Sequence, residues 1–136
     1  MAMRSIPTSV HGIVDYVTAP VLIAAPDIFR MRPASPAAIA PRATGAAATV
    51  YSTLTDYELG LRRVIPMRVH LLLDAVSGAA LAAVPWLSGS ARSGKRYWLP
   101  HAVVGAAEVA LALTTKTQAP RTKPGKLAQL GRFLRR

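Results

Sequence analysis

The sequence predicts an all-α membrane protein in which four transmembrane helices form two tandem helical hairpins. Three observations support this prediction. Of the 136 residues, 51% are hydrophobic, and the mean hydropathy is positive at +0.29. Charged residues are nearly absent from four long windows and are crowded between them. The second pair of windows follows the first at a constant spacing of 59 residues, which indicates an internal repeat.

Each window is long enough to cross a bilayer as a helix. The windows cover residues 8–29, 37–59, 67–87 and 98–115, and about 20 apolar residues span a hydrocarbon core about 30 Å thick. Most of these windows lack the polar stripe of a soluble helix. A helix also satisfies its own backbone in lipid, which an isolated strand does not. The second window is the least apolar and contains Arg42, so we expect protein to cover much of it.

The repeat runs through both helices of each hairpin without a gap. The first unit begins RSIPTSVHGIVDY and the second RVIPMRVHLLLDA. We place the units at residues 1–60 and 61–116, followed by a basic tail at 117–136. Two helices return the chain to its starting side, so the units should be related by a pseudo-two-fold axis along the membrane normal. The pairs matched at an offset of 59 include Pro7 with Pro66, His11 with His70, Asp15 with Asp74, Pro26 with Pro85, Pro41 with Pro100, and Thr55 with Thr114.

The distribution of Lys and Arg predicts that both termini are cytoplasmic. Eleven of the 17 basic residues fall on the side of the termini and six on the other side, and cytoplasmic segments carry the excess of positive charge. We therefore expect a multi-pass protein of the plasma (inner) membrane. Trp86, Tyr97 and Trp98 should mark the opposite interface, where amphipathic rings prefer to lie.

A proline–tryptophan motif near the end of the third window carries a family resemblance. The motif VPW at 84–86, preceded by VHLLLD, resembles the SPW repeat family of small bacterial membrane proteins. That family has paired transmembrane helices with a Ser-Pro-Trp motif in the first helix of each pair. Here the second unit has valine in place of the serine, and the first unit has APD at 25–27. The resemblance covers about residues 4–115 and implies a membrane protein without an assigned activity. The motif positions are Pro7, Pro26, Pro66, Pro85 and Trp86.

Five ionisable residues fall at one depth inside the apolar windows. A spacing of four places His11 and Asp15 on one helix face, and the same holds for the second unit. At a rise of about 1.5 Å per residue, Asp15 and Glu108 lie roughly 12 Å and 10 Å from the same side. Burial of such groups in a span costs a few kcal/mol, so they should face the bundle and have partners. The predicted layer consists of His11, Asp15, His70, Asp74 and Glu108.

Two interpretations of this layer remain open, and we favour the first. In the first, the layer is structural, because polar side chains commonly hold membrane helices together. Arg4 would then reach Asp15, and Arg63 or Arg68 would reach Asp74. In the second, Asp15, Asp74 and Glu108 form a proton or cation site between the hairpins, as in a small transporter or channel-like protein.

Several other classes of function receive little support. The same His and carboxylate side chains could ligate a metal, but the His-x-x-x-Asp pattern is common by chance, and we expect no metal and no cofactor. The absence of cysteine excludes disulfides and thiolate ligands. No nucleophile–base pair or phosphate-binding loop is present, so we expect no enzyme. The net charge of +11 lies in connections and the tail rather than on one stripe, so we expect no nucleic acid partner.

The remaining predictions concern partners and packing. Besides the lipid bilayer itself, the basic tail from Gly125 onward should either lie as an amphipathic helix on anionic lipid head groups or remain disordered. A homo-oligomer or a membrane-protein partner is also expected. The alanines spaced by four at Ala75, Ala79 and Ala83 should allow close helix packing. His101 is expected at the outer interface, near lipid head groups.

Overall fold

The computed structural model describes residues 4–120, and this part of the chain folds into four α-helices. They are α1 (Thr8–Ile28), α2 (Pro36–Leu54), α3 (Met67–Leu87) and α4 (Leu99–Thr114), with two short 3-10 turns before α4. The all-α prediction is confirmed. By length and composition, α1 and α3 are long and apolar enough to cross a membrane. The predicted tail lies almost wholly outside the described residues.

Prolines mark both ends of α1 and α3. Pro7 and Pro66 precede these helices in an extended conformation, with φ and ψ of −63° and 147° and of −60° and 143°. Proline lacks an N–H group, which would have no partner in the first turn of a helix. Pro26 and Pro85 lie in the last turns and are fully buried. The motif residues therefore frame these helices.

Helix α2 ends five residues before the end of its predicted window. Thr55 leaves the helix with an extended backbone, at φ −81° and ψ 142°. The following residues turn back toward α3, and the amide of Asp56 donates to the carbonyl of Ile65 at 2.8 Å. The predicted window 37–59 was therefore too long, because its polar end forms part of a connection.

The chain segments beside the helix ends are linked crosswise. Before α1, Ile6 donates to the carbonyl of Thr114 at 3.1 Å and accepts from the amide of Lys116 at 2.9 Å. Before α3, Ile65 makes the corresponding contacts with Leu54 and Asp56, both at 2.8 Å. The start of each hairpin thus pairs with the end of the other, and all four helices are joined at one end.

Glycines allow the closest approach within each hairpin. A Cβ atom on Gly45 of α2 would lie 2.5 Å from the carbonyl oxygen of Ala19 in α1. A Cβ atom on Gly105 of α4 would collide with the carbonyl oxygen of Gly78 in α3. The predicted alanine face of α3 is wrong as the contact face, because Ala79 is exposed and Gly78 makes the approach.

The contacts of α2 and α4 correspond at a spacing of 60 residues, so the predicted ungapped offset of 59 fails there. The connection before α4 covers residues 88–98 and is longer than the connection before α2 at 29–35, and the net shift of α4 relative to α2 is one residue. Glu108 therefore corresponds to Ala48 rather than to Thr49. The corresponding inward-facing pairs are Gly45 and Gly105, Ser52 and Ala112, and Thr55 and Thr115.

Two residues predicted at the outer interface lie inside the fold. His101 is buried, and its Nε2 donates to the carbonyl oxygen of Ala37 at 2.7 Å. Tyr97 packs with Met31 and the same alanine. The start of α4 therefore lies against the start of α2. Trp86 and Trp98 remain on the outside, with ring centroids 5.7 Å apart.

Large apolar side chains cover much of the outer surface of α1 and α3. Val17 and Val76 are each 60% exposed, and Leu72 is 62% exposed. The small buried faces of these helices contain histidine, aspartate and glycine. Contiguous exposed apolar surface marks a contact with lipid or with another protein. Both helices thus expose large apolar side chains and hold ionisable residues on their inner faces, beside the buried Leu22, Leu71 and Leu81.

Candidate functional site

Two histidines and two aspartates meet where α1 and α3 face each other. These residues, His11, Asp15, His70 and Asp74, form what we call the His–Asp cluster. Both imidazoles are fully buried, and the carboxylate side chains of Asp15 and Asp74 are 10% and 8% exposed. The cluster lies in the first two turns of each helix, so four of the five residues of the predicted layer share one site.

The strongest contacts in the cluster run between helices. His11 Nε2 lies 2.8 Å from Asp74 Oδ2, and His70 Nε2 lies 3.0 Å from Asp15 Oδ2. The contacts within each helix are longer, at 3.4 Å in α1 and 3.1 Å in α3. The two Nε2 atoms are only 3.1 Å apart. The spacing of four thus places the histidine and the aspartate of each helix on one face. The closer aspartate partner of each histidine belongs to the other helix.

Two threonines fix the orientation of the imidazoles. His11 Nδ1 lies 2.9 Å from Thr115 Oγ1, and His70 Nδ1 lies 2.8 Å from Thr55 Oγ1. Each threonine hydroxyl donates to a carbonyl one turn earlier, at 2.7 Å and 2.6 Å respectively. Because each hydroxyl proton is already donated to a carbonyl, the hydroxyl oxygen accepts from the Nδ1–H group of the imidazole. Both Nε2 atoms consequently point into the cluster.

Two residues of α2 contact the carboxylates. Tyr51 donates its hydroxyl proton to Asp74 Oδ1 at 2.6 Å, and Ser52 Oγ lies 3.4 Å from Asp15 Oδ2. The ring of Tyr51 also meets His70 edge-on, with centroids 5.1 Å apart. Sequence reasoning missed Tyr51 and both threonines as site residues. The only available signal was a threonine at the end of each hairpin.

Glu108, the fifth predicted residue, lies beside the cluster without joining it. Its Oε2 atom is buried and has no hydrogen-bond partner among residues 4–120. A cavity of about 20 Å³ is lined by Glu108 together with Asp15 and Asp74. This volume suffices for about one water molecule. The three carboxylates therefore surround one small cavity, as their predicted common depth requires.

The predicted arginine partners of the carboxylates are wrong. Arg4 Nη1 donates to the backbone carbonyls of Ala112 and Thr115, at 3.1 Å and 2.8 Å. Arg63 lies 3.8 Å from Asp56 in the connection between α2 and α3. Arg4 therefore binds the end of α4 and Arg63 lies beside a residue of a connection, while the histidines contact the carboxylates.

Comparison with known proteins identifies the family but no relative of assigned role. The family model of the SPW repeat domain matches residues 9–115. No curated protein and no solved structure matches the sequence. The matched region includes all four helices and the whole His–Asp cluster. The chain therefore belongs to the SPW repeat family.

Proposed function

We propose that this chain is a four-span integral membrane protein with a structural or interaction role and no enzymatic activity. The observation that carries the proposal is the His–Asp cluster, whose closest contacts join α1 to α3. In this role the cluster connects the two hairpins and keeps them in register. The proposed location is the plasma membrane of a bacterial cell, with both termini in the cytoplasm.

The outward valines and leucines of α1 and α3 support a position in lipid. Helix α4 has 16 residues, about 24 Å at the usual rise, so it spans most of a hydrocarbon core. Helix α2 has 19 residues, and its Arg42 pairs with Asp27 of α1 at 2.8 Å, so its charge has a partner. These lengths and pairings are compatible with four spans.

The crosswise contacts support two hairpins related by an axis along the membrane normal. Ile6 and Ile65 each bond to the end of the other hairpin. His11 and His70 likewise each bond to the terminal threonine of the other hairpin, His11 to Thr115 and His70 to Thr55. Parallel repeats in membrane proteins have this arrangement.

The outer apolar faces of α1 and α3 are the proposed surfaces for a second copy or a membrane-protein partner, since the cluster occupies their inner faces. We further propose that the basic tail contacts anionic lipid head groups, where each Lys or Arg contributes about 1 kcal/mol. In the sequence the tail follows the end of α4, and that end of the helix lies near the buried layer.

A cysteine-labelling experiment tests the proposed topology, since the chain has no cysteine of its own. We expect Ser93→Cys, in the connection before α4, to react with a membrane-impermeant maleimide in intact cells. Leu61→Cys, in the connection between α2 and α3, should react only after permeabilisation. Both positions are exposed, so access differs only through the membrane. Equal labelling of both variants in intact cells would contradict four spans. Labelling of Leu61→Cys alone in intact cells would show the opposite orientation.

A second candidate function is the passage of protons or cations through Asp15, Asp74 and Glu108. A buried oxygen of Glu108, which has no hydrogen-bond partner in the described part of the chain, lies beside two carboxylates and favours this candidate. The cavity of about 20 Å³ is too small for a continuous path, and both aspartates are bound to histidines. For this reason the structural role is preferred.

A liposome assay distinguishes the two roles. We expect the purified protein to produce no more proton or K⁺ flux than protein-free liposomes, because the cluster is closed on itself. Addition of an ionophore should then release the same gradient, which demonstrates intact vesicles. Flux in the wild type that Asp15→Asn, Asp74→Asn and Glu108→Gln each abolish would establish the transport role instead.

A further inference from the structure

The donor atoms of the His–Asp cluster converge on one point. We propose that His11, Asp15, His70 and Asp74 bind a single divalent transition-metal ion, with Zn²⁺ the best fit. The ligands are the two imidazole Nε2 atoms and one oxygen of each carboxylate. This inference rests on the proposed structural role and deepens it, because the ion would be the link between α1 and α3.

The distances match tetrahedral coordination. A zinc ion with N and O ligands at about 2.0–2.1 Å holds those atoms about 3.3 Å from one another. The Nε2 atoms of His11 and His70 lie 3.1 Å apart, and Asp74 Oδ2 lies 2.8 Å and 3.1 Å from them. Asp15 contacts His70 through Oδ2 at 3.0 Å and His11 through Oδ1 at 3.4 Å, so either oxygen can serve as the fourth ligand. One donor atom from each of the four residues falls in a group no wider than 4.8 Å.

The proton positions favour a cation at the centre. Because Thr115 and Thr55 accept from Nδ1–H, each neutral imidazole directs its Nε2 lone pair inward. Two lone pairs would then face each other at 3.1 Å, next to two carboxylates. Protonation of one Nε2 atom leaves the lone pair of the other directed at carboxylate oxygens, and protonation of both brings two imidazolium N–H groups together at that distance. A divalent ion accepts all four lone pairs at once.

The contacts around the cluster are those of a preorganised metal site, in which neighbouring residues hold the ligands in position. Metal-binding histidines usually donate their other ring N–H to a fixed acceptor, which sets the tautomer and the ring orientation. Thr115 and Thr55 are those acceptors here. Tyr51 holds Oδ1 of Asp74 at 2.6 Å and leaves Oδ2 directed at both imidazoles.

The ligand set also indicates the class and the role of the ion. Imidazole nitrogen suits zinc, iron, nickel and copper, whereas magnesium and calcium prefer oxygen alone. Two carboxylates and one divalent ion have no net charge, which lowers the cost of burial in a membrane. Four protein ligands around one ion leave no open position, as in structural rather than catalytic zinc sites.

Cobalt binding provides the test, since Co²⁺ in a tetrahedral site has intense visible absorption and substitutes for zinc. The full-length protein would be purified in detergent with a tag that lacks histidine, stripped with a chelator and titrated with CoCl₂. We expect one Co²⁺ per chain with a tetrahedral spectrum, displaced by one equivalent of ZnCl₂. Thr55→Val should retain the spectrum with about 10- to 100-fold weaker affinity.

The matched control is His101→Gln, which removes the other buried histidine. This variant should bind Co²⁺ as the wild type does, whereas His70→Gln should not. Asp15→Asn, which changes one charged oxygen with little change of shape, serves if His70→Gln does not fold. Wild-type protein that gives no tetrahedral spectrum and contains no zinc would overturn the metal site and leave the structural role of the cluster standing. Metal binding that does not raise the unfolding midpoint would support the site and overturn the structural role.

Discussion

Replacement of Asp74 by alanine is expected to lower the free energy of unfolding by about 3–5 kcal/mol, the usual cost of breaking a buried ion pair. Asp74 contacts both imidazoles, at 2.8 Å and 3.1 Å, and also accepts from Tyr51. Its removal leaves two fully buried imidazoles and the half-buried hydroxyl of Tyr51 without that partner. Unfolding in mixed detergent micelles, followed by tryptophan fluorescence, would measure the loss.

Asp27→Ala is the matched control for this measurement. Asp27 also forms an ion pair between helices, with Arg42 at 2.8 Å, but its side chain is 76% exposed. An exposed pair contributes about 0–1 kcal/mol, so the control should unfold nearly as the wild type does. Equal losses in both variants would show that the burial of the cluster confers no special stability.

Replacement of Gly105 is expected to have the second large effect. Alanine at this position would place a methyl group against the carbonyl oxygen of Gly78 and 2.8 Å from the amide nitrogen of Ala82. Neither is the end of a flexible side chain, so α3 and α4 must move apart. Overpacking of this kind costs about 1–3 kcal/mol, and Gly105→Leu should cost more and prevent the second hairpin from closing.

The control lies on the opposite surface of α3. Ala79 is exposed, so Ala79→Leu should be tolerated. The separation of the helices can be measured by cross-linking of paired cysteines introduced near Gly78 and Gly105, with and without the substitution. Wild-type cross-linking efficiency in Gly105→Leu would show that the close approach is not required.

Hydrophobic patterning was sufficient to predict the helices, and the motif VPW with the preceding VHLLLD indicated the family. Prolines before each first helix, apolar windows and the repeated His-x-x-x-Asp spacing are local features, and local features are visible in one sequence. The common depth of Asp15, Asp74 and Glu108 followed from the rise of a helix alone. These residues line one cavity in the structure.

The predictions that were wrong, or that the sequence did not allow, concern features that depend on tertiary contacts. Alanine-rich helices match one another at many offsets, so the spacing of 59 could not be distinguished from 60 in α2 and α4. The register is fixed by tertiary contacts, such as the close approaches of Gly45 and Gly105. The crosswise pairing of the histidines, the threonine acceptors and the position of Arg4 require knowledge of which helices are neighbours. A pattern of residues along one chain does not contain that information.

The crosswise pairing also constrains how the protein can be made. The ribosome delivers α1 before α3, so under the proposed topology His11 and Asp15 enter the membrane before Asp74, the closest partner of His11, has been synthesised. During that interval His11 and Asp15 have only their mutual contact and that of Ser52 to Asp15, both at 3.4 Å, and lack their closer partners on α3. Biogenesis under this topology therefore includes a stage at which the polar residues of α1 lack their closest partners. That stage ends when α3 inserts, and not when α2 is complete.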